Sequence, residues 1–295
     1  MSTVPAVLAK GWPVLVRREF WEHRALWIAP LVLAALYLAA CFMPGAFGLG
    51  GVPRGPLHID GSPLLFAQLM FTSVLFALMS VVVFFYLADC LYAERKDRSI
   101  LFWKSLPVSD AATVLTKLVV ALLIVPLGVF LVAFVTNLLA FGILYVRLHG
   151  NAALAPLMSW DTAGWLRLNG IVLVYIFVLA LWYAPVAAYQ LLISAWAKGS
   201  ALVWTVLPPL ILVLGERFIF GTHYIGGALR DRFGINLAGI AASGRAMRAA
   251  VGGRRLFDGI DVIGLLTTPA MWIGIAVAAG LLFGAIRIRR YRDDT

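Results

Sequence analysis

Apolar residues fall into six long blocks, approximately Leu26 to Met43, Leu64 to Ala88, Leu118 to Val146, Leu168 to Gln190, Ala201 to Phe220 and Val262 to Ile286. A hydrocarbon core about 30 Å thick takes about 20 helical residues to cross, so each block predicts a transmembrane helix. The run from Ile171 to Gly215 is too long for one crossing. Lys198 and Gly199 are its only charged break and predict a tight hairpin. Upstream, within residues 1–25, Leu8, Trp12, Leu15, Val16 and Phe20 recur at helical spacing while Lys10, Arg17, Arg18 and Glu22 take other positions. That pattern predicts an amphipathic helix lying along the membrane surface; a disordered basic tail is the alternative. Between the fifth and sixth blocks, residues 221–261 interleave Tyr224, Ile225, Leu229, Phe233, Leu237, Ile240 and Met247 with arginines and glycines, and predict short external helices. No internal repeat and no soluble domain is visible. The expectation is an all-α integral membrane protein with six transmembrane helices, occupying 26–295.

Composition sharpens the class. Hydrophobic residues make up 62% of the 295 positions and charged residues 13%, against roughly 45–50% and 25% in soluble domains. The net charge of +10 does not call for nucleic acid, because lysines and arginines, apart from Arg217 near the end of the fifth block, lie in the gaps and termini, where topology and anionic lipids explain them. With the N-terminus inside, the cytoplasmic segments hold Lys10, Arg17, Arg18, Arg24, Arg95, Lys96, Arg98, Lys104, Lys117, Lys198, Arg287, Arg289, Arg290 and Arg292. The first two external loops hold only Arg54, Arg147 and Arg167. Both termini are therefore expected in the cytoplasm. Segment 221–261 resists this scheme with six arginines; a re-entrant fifth block would move it inside but would put the Arg-rich tail outside. Cys41 and Cys90 fall at opposite membrane faces, which disfavours a disulfide. No cleavable signal peptide is apparent in residues 1–25.

Catalytic chemistry is sparse. His23, His58, His149 and His223 lie near boundaries or in loops, without metal-ligand spacing. There is no nucleophile elbow and no phosphate-cradling Walker A sequence. Ionisable and strongly polar groups in spans are functional candidates because burying them is costly, and five form a candidate polar path: Gln68, Asp89, Asn137, Gln190 and Glu216. For Asp89 and Glu216 a charge snorkelling or paired near the interface is the favoured reading, and for Gln68, Asn137 and Gln190 interhelical bonding explains them as well as substrate contact does. Pro30, Pro126, Pro185, Pro208, Pro209 and Pro269 bend or break spans.

The most informative stretch is the loop 89–117. Its charged opening, Ala93-Glu94-Arg95-Lys96-Asp97-Arg98, runs into apolar Ile100-Leu101-Phe102-Trp103. Leu106-Pro107 then breaks the helix, and Ser109 or Asp110 caps the next one. A short cytoplasmic helix from Glu94 to Leu106 with an exposed aromatic face reads as a docking surface; a solvated loop with Trp103 at the headgroups is the alternative.

The sequence Tyr92-Ala-Glu-Arg-Lys-Asp-Arg-Ser-Ile-Leu-Phe-Trp-Lys-Ser-Leu-Pro-Val-Ser, behind two apolar spans and an amphipathic helix, resembles the permease subunits of type-2 ABC exporters, the ABC-2 family. The Trp272 span with its Arg-rich tail is similar too. The resemblance covers the layout of nearly the whole chain, while only this loop is specific at residue level. It implies six spans per subunit, a second permease subunit in a homodimer or similar pair, short external helices before the sixth span, and separate ATPase subunits on the cytoplasmic face of the bacterial inner membrane. ATP and magnesium would belong to those ATPase subunits, and this chain would hold no cofactor or metal and no catalytic residue. Glu94, Arg95 and Arg98 would supply charged contacts to the ATPase, Ile100, Phe102 and Trp103 an apolar plug, and Pro107 a rigid corner, with Leu106 also among the coupling residues. Membrane lipids are the remaining expected partner. Two other classes stay open: a membrane-embedded enzyme acting on a lipid or lipid-linked substrate, which would need acidic or histidine residues clustered at one depth, and a non-transporting anchor or immunity protein.

Overall fold

The computed structural model describes residues 4–43, 63–99, 108–148, 162–229, 232 and 262–291. Among these residues the protein is all α-helix with no strand. Helix α1 is Val4–Glu22, α2 is Ala25–Phe42 and α3 is Pro63–Lys96. Helix α4 runs through Asp110–Val119, a π-turn at Val120–Ile124, and Val125–Leu148. Helix α5 is Thr162–Trp196, and α6 is Ala201–Gly215 with a π-turn at Glu216–Phe220. The short α7, Val262–Thr267, precedes α8, Pro269–Tyr291. Six of these helices, α2 to α6 and α8, are long and apolar enough to cross a membrane.

Several boundaries differ from the sequence expectation, for local reasons. Helix α3 continues eight residues beyond Ala88 to Lys96, so Glu94 and Arg95 form its last turn and do not open a separate helix. It stops where Arg98 adopts a left-handed φ of 55° and its N–H bonds back to the Arg95 carbonyl, an ending usually given to Gly or Asn. Ser109 is the cap of α4, accepting from the Ala112 N–H at 3.1 Å, while Asp110 sits inside the first turn. Pro126 has no N–H to return to the preceding turn, and the register slips just before it: the Val125 N–H reaches the Val120 carbonyl, five residues back. The sixth block is divided, because Pro269 opens a new helix after α7. Residues 224–229 form one short helix in the segment where short helices were expected; residues 230–231 and 233–261 lie outside the described part.

In the larger core cluster Leu75, Leu91, Val114, Val120, Val129, Leu191 and Ala285 from α3, α4, α5 and α8 are almost completely enclosed, and a smaller cluster of Ile193, Ala197 and Ala201 sits at the α5–α6 turn. Helices α5 and α8 approach closely through small residues: a Cβ at Gly284 would lie 3.1 Å from the Leu192 side chain. Such residues favour helix association in lipid, where apolar burial drives nothing. Helix α6 is the least covered of the six spans. Cys41 and Cys90 are both buried and free.

Candidate functional site: a buried ion cluster at one end of the bundle

Helix α1 lays Val16 and Phe20 on the core. Glu19, three residues after Val16, falls on that same face and is carried into the bundle, where only 2% of it is exposed. There it meets Lys117 of α4, which is fully buried. The ammonium lies 2.9 Å from both Glu19 carboxylate oxygens and 3.0 Å from Glu94 Oε1 on α3. Arg289 of α8 donates to Glu94 Oε2 at 2.6 Å and to Asp110 Oδ1 at 3.1 Å. Arg18 also donates to Glu94 and, through its Nε at 2.7 Å, to Glu22. The Tyr86 hydroxyl completes the shell, donating to Glu19 Oε2 at 2.8 Å.

The cluster therefore fastens α1, α3, α4 and α8 to one another through groups removed from water. Moving such ions out of water costs several kcal/mol each and is repaid only when geometry and hydrogen bonding are good. Here each cation meets two acids. Burial works against the charge of Arg18, but Glu22 and Glu94 outweigh it and hold its pKa above the ordinary value. His23, edge-on to the Tyr86 ring at 4.8 Å, is pushed below the usual imidazole range by burial and then by the Lys117 charge.

These contacts also fix relative placement. Arg289 and Arg18 share Glu94, so the end of α8 and the end of α1 lie at the same end of the bundle, as six crossings require. The α5–α6 turn joins them there: Arg95 donates from Nη2 to the Ser194 and Ala197 carbonyls at 2.9 and 2.8 Å, neutralising the negative end of α5. Ser194 Oγ in turn accepts from the Leu91 and Tyr92 N–H groups at 3.0 Å.

Two of the expected contact residues turn inward. Glu94 and Arg95 do not project as charges for another protein; Glu94 is 4% exposed with three cations around it, and Arg95 is spent on α5. Both sit in the final turn of a helix longer than the sequence pattern indicated, which turns them inward. Arg98 is exposed. Ile100, Phe102, Trp103, Leu106 and Pro107 lie outside the described residues.

The five polar-path candidates are spread from one end of the bundle to the other. Gln68 is buried on α3. Asn137 donates to Thr72 Oγ1 at 3.3 Å, and Gln190 to the Phe84 carbonyl at 3.4 Å, each joining two spans. Asp89 opens on a cavity at the ion-cluster end. Glu216, at the far end, accepts from the Ile225 and Gly226 N–H groups at 2.8 and 3.3 Å, from Tyr224 N–H, and from the Thr222 hydroxyl at 3.0 Å. It caps helix 224–229 with a carboxylate, a favourable arrangement at a helix N-terminus.

Sequence reasoning missed Glu19 and Lys117 as a pair. Glu19 carried a legible signal, a carboxylate on the apolar stripe of an amphipathic helix. Lys117 carries no such signal, since its position beside an apolar block marks only a flanking charge. Glu19, Glu22 and His23 also bring potential metal-ligand atoms within 4.8 Å of one another. Both Glu19 oxygens are already taken by Lys117, with Tyr86 on one, so that grouping does not fit a metal without breaking the cluster.

At the far end Arg232 lies in the seam between α5 and α8. It donates to the Trp182 and Ala270 carbonyls at 2.6 Å and stacks over the Trp182 ring at 4.9 Å. Burial lowers its pKa. Gly274 makes the room: a Cβ there would overlap the guanidinium.

No family model, no curated protein and no solved structure matches the chain.

Proposed function

We propose that this chain is the membrane-spanning subunit of an ATP-driven exporter of the ABC-2 kind, working with a second permease subunit and with separate ATPase subunits at the ion-cluster end, which is then the cytoplasmic face. The observation that carries the reading is the placement of Glu94. It closes α3 just before the segment that resembles the family's docking loop, and it is bonded to α1, α4 and α8 at once. A push on segment 97–109 reaches Glu94 within one helical turn, and Asp110, paired with Arg289, receives it from the other side. Both ends of the loop are thus tied to the last span. Arg98, Ile100, Phe102, Trp103, Leu106 and Pro107 carry the ATPase contact in this reading, and Glu94 and Arg95 transmit it.

The test is co-purification of the ATPase at low and high salt. Trp103→Ala removes an aromatic anchor of the kind often worth about 2 kcal/mol or more at an interface, so association falls while membrane expression holds. Wild-type association by this variant overturns the docking assignment.

A further inference from the structure

At the ion-cluster end, where α1 turns into α2, a cavity of about 620 Å³ opens between that elbow, the last turns of α3 and the start of α6. Its size suits a small amphiphile. The lining is divided by chemistry. Val82 and Phe85 of α3 and Leu202 of α6 form an apolar wall, while Glu22, Asp89 and Arg24 carry charges into the same space. Glu22 is neutralised by Arg18. Asp89 and Arg24 are exposed and make no ion pair among the described residues, so the cavity presents one unmatched anion and one unmatched cation.

The surroundings fix its depth in the membrane. Trp21, Trp27, Trp196 and Trp204 are 69%, 45%, 44% and 40% exposed at this end of the bundle, and exposed tryptophans gather at the level of the lipid headgroups. Phe85 and Leu202 are 52% and 39% exposed, so the apolar wall continues onto surfaces that acyl chains cover. A cavity at headgroup depth with one unmatched charge of each sign and an apolar outlet is complementary to a zwitterionic amphiphile.

We propose that this cavity binds the headgroup of a zwitterionic aminophospholipid, its ammonium against Asp89, its phosphate toward Arg24, and its acyl chains along Phe85 and Leu202. The site is independent of the exporter reading, since it requires only that the chain sit in a bilayer. It touches the ion cluster directly: Tyr86 and Glu22 belong to both, so an occupied cavity braces α1 against α3.

Native mass spectrometry of the purified chain, equilibrated with equal phosphatidylethanolamine and phosphatidylglycerol, tests it. The expected result is at least tenfold preferential retention of phosphatidylethanolamine. Asp89→Asn abolishes that preference, Arg24→Gln weakens retention of both lipids, and excess soluble glycerophosphoethanolamine fails to compete. Asp89 and Arg24 are exposed, so both variants fold; Leu202→Trp, which narrows the cavity from a different helix, reduces phosphatidylethanolamine retention without changing either charge. Equal retention of the two lipids by the wild-type chain, or an unchanged preference in Asp89→Asn, overturns the proposal. Full competition by the soluble headgroup overturns the assignment to a membrane lipid.

Discussion

Lys117→Met tests the ion cluster at its centre. The ammonium is fully buried and bonded to Glu19 and Glu94. Its removal leaves Glu94 with two guanidinium partners but leaves Glu19 with only the Tyr86 hydroxyl. Breaking a buried pair by deleting one member costs roughly 3–5 kcal/mol, because an uncompensated charge stays behind. For a domain of this size that corresponds to a fall in Tm on the order of 10 °C. Glu19→Gln in the same chain removes the stranded carboxylate, so the double variant Glu19→Gln/Lys117→Met should regain at least half of the loss, a strong coupling that distant sites do not show. Thermal unfolding of the four proteins in the same detergent or nanodisc, followed by tryptophan fluorescence, gives the cycle. A Lys117→Met protein that melts with the wild type, or a double variant whose loss equals the sum of the singles, refutes the account of the cluster.

Two further outcomes follow from the same geometry. His23 has a folded pKa below its unfolded value of about 6.5, so the unfolded chain binds the proton more readily. Stability is complete above that pH and declines as pH falls through the window below it; Tm measured between pH 8 and 5 should show this decline, and His23→Gln should flatten it. Gly274→Ala places a methyl group where the Arg232 guanidinium now lies. The long side chain gives way, so we expect a stability loss of only about 1 kcal/mol or less, and no further loss when Arg232→Ala is added; additive losses in urea or thermal unfolding would contradict the contact.

The spans were legible because lipid imposes a length that a sequence displays directly, and the charged break at Lys198 and Gly199 separates α5 from α6 where the turn occurs. The ends of the spans were not. Glu94 and Arg95 follow a run of apolar residues and look solvated, yet α3 does not stop where its apolar run stops. Helix continuation there depends on Arg95 reaching the α5 carbonyls and Glu94 reaching Arg289, some 100 and 195 positions away. Glu216 likewise looked like a group on a path, and its partners are backbone N–H groups of a helix that follows it. Residues whose roles depend on distant partners carry little local signal. Glu19 is the exception, since its place on the apolar face of α1 marked it for burial.

In the proposed exporter Glu94 relays movement from segment 97–109 into the spans. The most direct test of that relay is ATP-driven export by the reconstituted complex, measured with ATPase binding and hydrolysis for the wild type and for Glu94→Gln. The variant should still bind its ATPase and continue to hydrolyse ATP, while export per ATP falls at least tenfold because Arg18, Lys117 and Arg289 lose their common partner. Export at the wild-type ratio by a Glu94→Gln complex would contradict it.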